Sequence, residues 1–91
     1  MKYIICYDIA HTDRRNRVAK TLEGFGERIN ESVFECELRA AQFGKFCRAV
    51  RKHVCPVSDT LRAYPLCERD CPDIIHLGRS MGRAQRDAYV V

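Results

Sequence analysis

Tyr3, Ile4, Ile5, Cys6 and Tyr7 form an unbroken apolar run. It is β-rich and too short for a helix, which predicts a strand over residues 2–8 covered on both faces. Strict alternation sets Ile4, Cys6 and Asp8 on one side and Tyr3, Ile5 and Tyr7 on the other, so Asp8 closes a row that is otherwise apolar. Val18, Ala19, Leu22 and Phe25 then recur at helical spacing until Gly24 and Gly26 stop the pattern. They predict a helix over about 13–25 with Thr12 or Asp13 as its N-cap. In "RINESVFECEL" the polar Asn30, Glu31 and Ser32 separate a short strand from a longer one, where Phe34, Cys36 and Leu38 alternate with Val33, Glu35 and Glu37. Between Arg39 and Val54, the residues Phe43, Phe46, Cys47, Val50 and Val54 make an apolar helical stripe ended by "CP" at 55–56. "SDTLRAYPL" supplies a fourth strand, with Pro65 marking its end or a sheet edge, and "DIIHLG" is a further strand-like piece.

The order is β-α-β-β-α-β with a short C-terminal strand. This is an α+β, ferredoxin-like arrangement: an antiparallel sheet carrying both helices on one face. The other face then needs a cover. With strand one apolar on both sides, a second copy of the chain is the natural one, giving a homodimer through the sheet face. With 91 residues the core is small, which also favours association. One ferredoxin-like domain is expected over 1–78. Residues 79–91 form a tail, polar until Tyr89, Val90 and Val91, whose end becomes a strand when added to a partner chain.

Composition narrows the function. Sixteen Lys and Arg against twelve Asp and Glu give a net charge of +4, which suits a polyanion partner without demanding one. No run approaches the roughly 18 apolar residues that a membrane crossing needs. The N-terminus has no signal-peptide pattern, so a cytoplasmic protein with no membrane partner is expected. The six cysteines then read as reduced thiols, with Cys6, Cys36 and Cys47 as small core residues. Cys67 and Cys71, joined by Cys55 and by His53 or His76, have the donor types for zinc, but not a standard spacing.

Asp8 carries the sharpest signal. A carboxylate in an apolar row costs several kcal/mol to desolvate unless a cation meets it, which implies a salt bridge to a helix-one arginine or a metal. Arg14, Arg15 and Arg17 crowd the first turns of that helix, where cations oppose the helix dipole. Helical side chains lean toward the N-terminus, so Arg14 and Arg15 point back at the loop after strand one and toward Asp8. With the free N–H groups there they suit a phosphate, although a solvated arginine face has the same composition. His11 lies in that loop as a candidate general base. Helix two adds Arg39, Lys45, Arg48, Arg51 and Lys52 with no acidic residue among them, a face fit for a phosphate backbone. One carboxylate makes a poor Mg²⁺ site. Asp8 from each of two chains, with water and a substrate phosphate, makes a better one, able to activate water against a phosphodiester.

"YDI" at 7–9, "DRRNRVAKTLEGFGERI" at 13–29 and "SVFE" at 32–35, in that order and spacing, resemble the CRISPR-associated Cas2 family, the small nuclease-like partner of the Cas1 integrase. The resemblance continues more loosely through "LRAYPL" at 61–66. It implies a ferredoxin-like homodimer in which the aspartate closing strand one, here Asp8, is a shared ligand for Mg²⁺ or Mn²⁺ at the dimer cleft. It places Tyr7, Arg15, Arg17, Arg28 and Phe34 as active-site neighbours. It further implies CRISPR adaptation, the insertion of new spacers together with the integrase, and a metal-dependent endonuclease acting on RNA or double-stranded DNA. The alternative role in the family is a non-catalytic DNA-binding scaffold that bridges integrase subunits. The cysteine-rich segment 55–71 and the tail depart from the family's usual pattern.

Overall fold

A computed structural model describes residues 1–75 and 77. Strand β1 (Lys2–Asp8) leads into helix α1 (Thr12–Glu23), followed by β2 (Gly26–Asn30), β3 (Val33–Glu37), α2 (Ala40–Arg51) and β4 (Thr60–Leu66). The strands form one antiparallel sheet in the order β2-β3-β1-β4. This is the ferredoxin-like order expected from the element sequence.

The period-2 pattern of β1 sorts its residues as predicted. Ile5 and Tyr7 are buried, while Lys2, Ile4 and Cys6 are half-buried and Asp8 is exposed. The buried set meets Phe34 and Cys36 of β3, Val18, Ala19 and Leu22 of α1, and Phe46 and Val50 of α2 in one core. Phe34 and Phe46 are almost wholly enclosed, each contributing about 2–3 kcal/mol by burial. Phe25 meets Phe46 edge to face at 5.6 Å, and Phe43 stacks on Tyr3 at 4.9 Å, so the predicted stripe of α2 is the one that packs.

Several local details differ from the sequence expectation. Helix α1 starts at Thr12 with His11 as N-cap, and no side chain of the cap accepts an N–H. Helix α2 stops at Arg51, and His53 and Val54 continue its hydrogen bonding to Val50 and Arg51. After β4 the chain turns into a 3₁₀ helix, Glu68–Asp73, so Asp73 of "DIIHLG" ends that helix, and Ile74, Ile75 and Leu77 lie in no strand of the single chain. The tail 79–91, with the strand expected there, lies outside the described residues. All six cysteines are free. Cys36 is a core residue whose burial pushes its thiol up to about 11, and Cys47 packs against the core. Cys6 sits on the face without helices. Pro65 is accommodated because β4 is an edge strand. Among the described residues no helix is long and apolar enough to cross a membrane.

β1 is therefore covered on one side only in the single chain. The open face shows Ile4, Cys6 and Val33 beside a Lys2–Glu35 ion pair at 2.6 Å, and an Arg62 that donates to the Tyr64 hydroxyl at 3.2 Å.

Gly26 is held against β3 so closely that a Cβ would lie 2.6 Å from Cys36 Sγ and 2.8 Å from Cys36 Cα, and would also collide with the Glu35 carbonyl oxygen. Gly26→Ala should therefore force β2 away from β3 and destabilise the fold by about 1–3 kcal/mol, read as a lower urea midpoint. An unchanged midpoint would contradict this close packing.

Candidate active site at the end of strand β1

Where β1 ends and α1 begins, a cleft of about 730 Å³ is lined by Tyr7, Asp8, Ile9, Arg15, Asn16, Arg28, Glu31 and Ser32. Three elements meet there. β1 brings Asp8 as its last residue, the first turn of α1 brings Arg15 and Asn16, and the β2–β3 hairpin brings Arg28, Glu31 and Ser32.

The hairpin wall is rigidly tied. Arg28 donates from Nε and Nη2 to the Glu31 carbonyl at 3.2 and 2.7 Å, and from Nη2 to the Tyr7 hydroxyl at 3.4 Å. The Tyr7 hydroxyl donates to that same carbonyl at 3.1 Å. Beneath them, the Arg28 guanidinium lies 5.6 Å from the centre of the Phe34 ring, a cation–π contact. Phe34 is thus the floor under Arg28 and does not line the cleft itself. On the helix side, Arg15 donates from Nη1 to the Ile9 carbonyl at 3.1 Å and from Nη2 to Thr12 Oγ1 at 3.2 Å.

The structure gathers Tyr7, Asp8, Arg15 and Arg28 around one space, with Phe34 behind. Arg17 is not in this group. It is exposed further along α1, with its carbonyl accepting the Thr21 hydroxyl at 2.8 Å. His11 is exposed in the loop after Asp8. Among the described residues, no three His, Cys, Asp or Glu side chains are grouped to hold a metal, which leaves the zinc grouping of Cys55, Cys67, Cys71 and His53 without support; His76 lies outside the described residues.

Of the two partners implied for Asp8, a helix-one arginine or a metal, the arginine is not met in the single chain. Asp8 is exposed, and among the described residues its side chain takes part in no ion pair or hydrogen bond. It avoids the desolvation cost because the face it belongs to is bare in the single chain. Arg14 instead reaches Asp59, a residue that sequence reasoning passed over. Arg14 Nε donates to Asp59 Oδ2 at 2.9 Å and Nη2 to Oδ1 at 3.2 Å. Cys55 N–H, Ala10 N–H and the Ser58 hydroxyl donate to the same carboxylate at 2.9, 3.3 and 3.1 Å. The Asp59 side chain has no exposed surface. The legible signal was the excess of cations at the start of α1, which called for a buried acid, and "SD" at 58–59 is a turn pair of the kind that bonds backbone N–H groups.

Comparison with known proteins places these residues in a wider group. Residues 1–74 match the family model described as CRISPR associated protein Cas2. The chain is 44% identical over 64 residues to the CRISPR-associated endoribonuclease Cas2 3 of a Synechocystis species, covering 70% of each chain. It is 37% identical over 94 residues to the CRISPR-associated endoribonuclease Cas2 1 of Chloroflexus aurantiacus, covering all of both. The crystal structure of Streptococcus pyogenes Cas2 at pH 6.5 superposes with a TM-score of 0.77 at 26% identity, over 86% of this chain and 100% of that one.

The Arg14 guanidinium, then the Cys55, Ala10 and Ser58 donors, hold the Asp59 carboxyl well below the usual carboxylate range, against a smaller opposing effect of burial. A carboxyl depressed on folding stabilises the native state fully above its unfolded value of about 4, and loses that contribution as pH falls toward the folded value. Asp59→Asn should lower the melting temperature by more than about 5 °C at pH 7. The gap from wild type should stay constant between pH 5 and 8 and close progressively below about pH 4. A gap that persists undiminished at pH 2.5 would show that the charge of Asp59 is not what stabilises the fold.

Proposed function

Because the chain belongs to the CRISPR-associated Cas2 family, we propose that it is a metal-dependent endonuclease. In this reading it hydrolyses phosphodiesters of RNA or double-stranded DNA as a homodimer, and serves with the Cas1 integrase in spacer acquisition. Its relatives carry endoribonuclease names. The observation that carries the reading is an exposed carboxylate with no ion pair among the described residues, set in a cleft that also holds Arg15 and Arg28.

The donor chemistry fits a hard cation in part. Asp8 offers two accessible carboxylate oxygens, the ligand type Mg²⁺ and Mn²⁺ prefer, but among the described residues of one chain no three acidic, His or Cys donors are grouped to enclose such an ion. Association through the open sheet face would add Asp8 of the second copy, and waters and a substrate phosphate would complete the shell. When bound, the ion supplies a polarised phosphoryl group and a more acidic water. The chain's own groups do the rest. In this reading Arg15 and Arg28, which line the cleft, bind the non-bridging phosphate oxygens and stabilise the charge that grows there as water attacks phosphorus and the P–O bond to the leaving oxygen breaks. Tyr7 and the Glu31 carbonyl hold Arg28 in that position before substrate arrives, so little reorganisation is needed.

A second reading, the scaffold, is favoured by α2. Arg39, Lys45, Arg48, Arg51 and Lys52 are all exposed, and the helix and its caps hold no acidic residue. Such a surface suits duplex phosphates and carries no base preference.

Asp8→Ala should reduce cleavage of RNA or duplex DNA by at least about a hundredfold while leaving circular dichroism and melting unchanged, and chelation by EDTA should have the same effect on wild type. A purified variant as active as wild type would reject the catalytic role of Asp8. Duplex binding should survive Asp8→Ala and should weaken by at least about tenfold between 50 and 200 mM salt, measured by fluorescence anisotropy. Affinity indifferent to salt would sink the scaffold reading.

A further inference from the structure

The β1–β4 ladder runs from Lys2 opposite Leu66 to Asp8 opposite Thr60. Asp59 is the residue next to the end of that ladder, so its side chain continues a job the backbone can no longer do. Beyond Asp8 the chain leaves the sheet through Ile9, Ala10 and His11 before α1 begins. Asp59 takes hold of this loop at the Ala10 N–H, and of α1 at Arg14. Two further donors, Cys55 N–H and the Ser58 hydroxyl, hold Asp59 in turn to its own loop. On the opposite side of the loop, Arg15 is bonded to the Ile9 carbonyl. Asp8 is thus bracketed: ladder hydrogen bonds before it, two side-chain tethers directly after it.

The same contacts also sort the two arginines. Both lie at the start of α1, close in sequence to Asp8, and only Arg15 lines the cleft. Arg14 is committed to Asp59, whose carboxylate stays ionised because these donors hold it far below the ordinary range. A buried ion pair is a weak source of net stability, since desolvation cancels most of its attraction. Its directional bonds, however, fix positions closely.

We infer that Asp59 is a positioning residue for the cleft, holding the β1–α1 loop and sequestering Arg14 so that the Asp8 carboxylate remains unpaired beside Arg15. This inference rests on the nuclease reading for its consequence, and on the hydrogen bonds for its geometry.

The test compares wild type, Asp59→Asn, Arg14→Gln and the double variant, each at a temperature where circular dichroism shows it fully folded. Steady-state cleavage is measured with Mn²⁺. The amide signals of residues 8–12 and the Arg15 side-chain signal are followed by NMR without metal. Asp59→Asn should lower kcat by about tenfold or more with KM within about threefold, because the transition-state contacts are misplaced while general binding survives. The double variant should recover at least a few-fold of that loss, since a neutral amide pair restores a partner for residue 59 and leaves no freed cation to pair with Asp8. A role in stability alone would move the melting temperature and leave kcat of the folded protein unchanged. Folded Asp59→Asn with kcat within twofold of wild type overturns the inference while the nuclease reading stands. If wild type itself does not cleave, the nuclease reading fails by its own assay, and the inference is decided by NMR. Shifted signals at Asp8 and Arg15 that return in the double variant support it; unmoved signals overturn it. Should Asp59→Asn not fold, Arg14→Gln tests the hold on the loop alone, since it leaves no cation to pair with Asp8: moved amide signals at residues 8–12 with a lower kcat support the inference, and unmoved signals with an unchanged kcat overturn it.

Discussion

A carboxylate removed from water must be given a cation and enough hydrogen-bond donors, or it will not stay charged. Asp59 is where this chain meets that demand, and much of the geometry near the cleft depends on how it does so. Its partners come from the β1–α1 loop, the first turn of α1, and the loop before β4. One side chain therefore joins the β1–α1 loop, the start of α1 and the loop before β4, beyond the end of the β1–β4 ladder. It also sits beside the start of α1, though the backbone N–H it accepts there is that of Ala10, before the helix. With no side chain at His11 accepting a helix N–H, a negative charge from a distant loop lies against the helix start instead, favourably placed for its dipole.

Around that anchor the site divides into a fixed half and an available half. Arg28 is held through Nε and Nη2 by Tyr7 and the Glu31 carbonyl, and by the face of Phe34, which makes it a rigid wall. Arg15 is tethered to the loop by two bonds. Asp8 has neither kind of restraint on its carboxylate among the described residues. An acid without an ion pair beside restrained cations is the arrangement on which the proposed nuclease reading rests.

The open face of the sheet bears on the same point. Helices cover one side only, so Ile4, Cys6 and Val33 are left half-buried next to a charged pair and a tyrosine. Asp8 lies at the end of this face. A second copy covering it would bury apolar surface and bring a second carboxylate toward the first. The small core of a chain this short makes such association useful for stability.

Periodicity was enough for the four strands and two helices of the sheet layer, because the period-2 and period-3.6 patterns are local properties of the chain, but not for the segment after β4, where a 3₁₀ helix stands and the strand read at "DIIHLG" does not form among the described residues. The strand Tyr3–Tyr7 and the stripe Phe43–Phe46–Val50 were legible in this way, while Pro65 read as a strand end or an edge and the sheet order made it an edge. The nearness of Asp8 and Arg15 was legible too, since residues at a strand end and at the start of the next helix are close by connectivity, while Arg14, read together with Arg15, turned to Asp59 instead. Tyr7, Arg28 and Phe34 came from the family resemblance, and Arg17, named with them, is exposed on α1 and does not line the cleft. What only the tertiary structure decided is which acid meets which arginine. Asp8 and Asp59 are chemically identical and 51 positions apart, and local pattern could not say which would be buried. The sheet order, which sets β4 beside β1, places Asp59 under the helix and leaves Asp8 on the bare face. Burial then assigns the cation, because the enclosed carboxylate needs it and the exposed one does not.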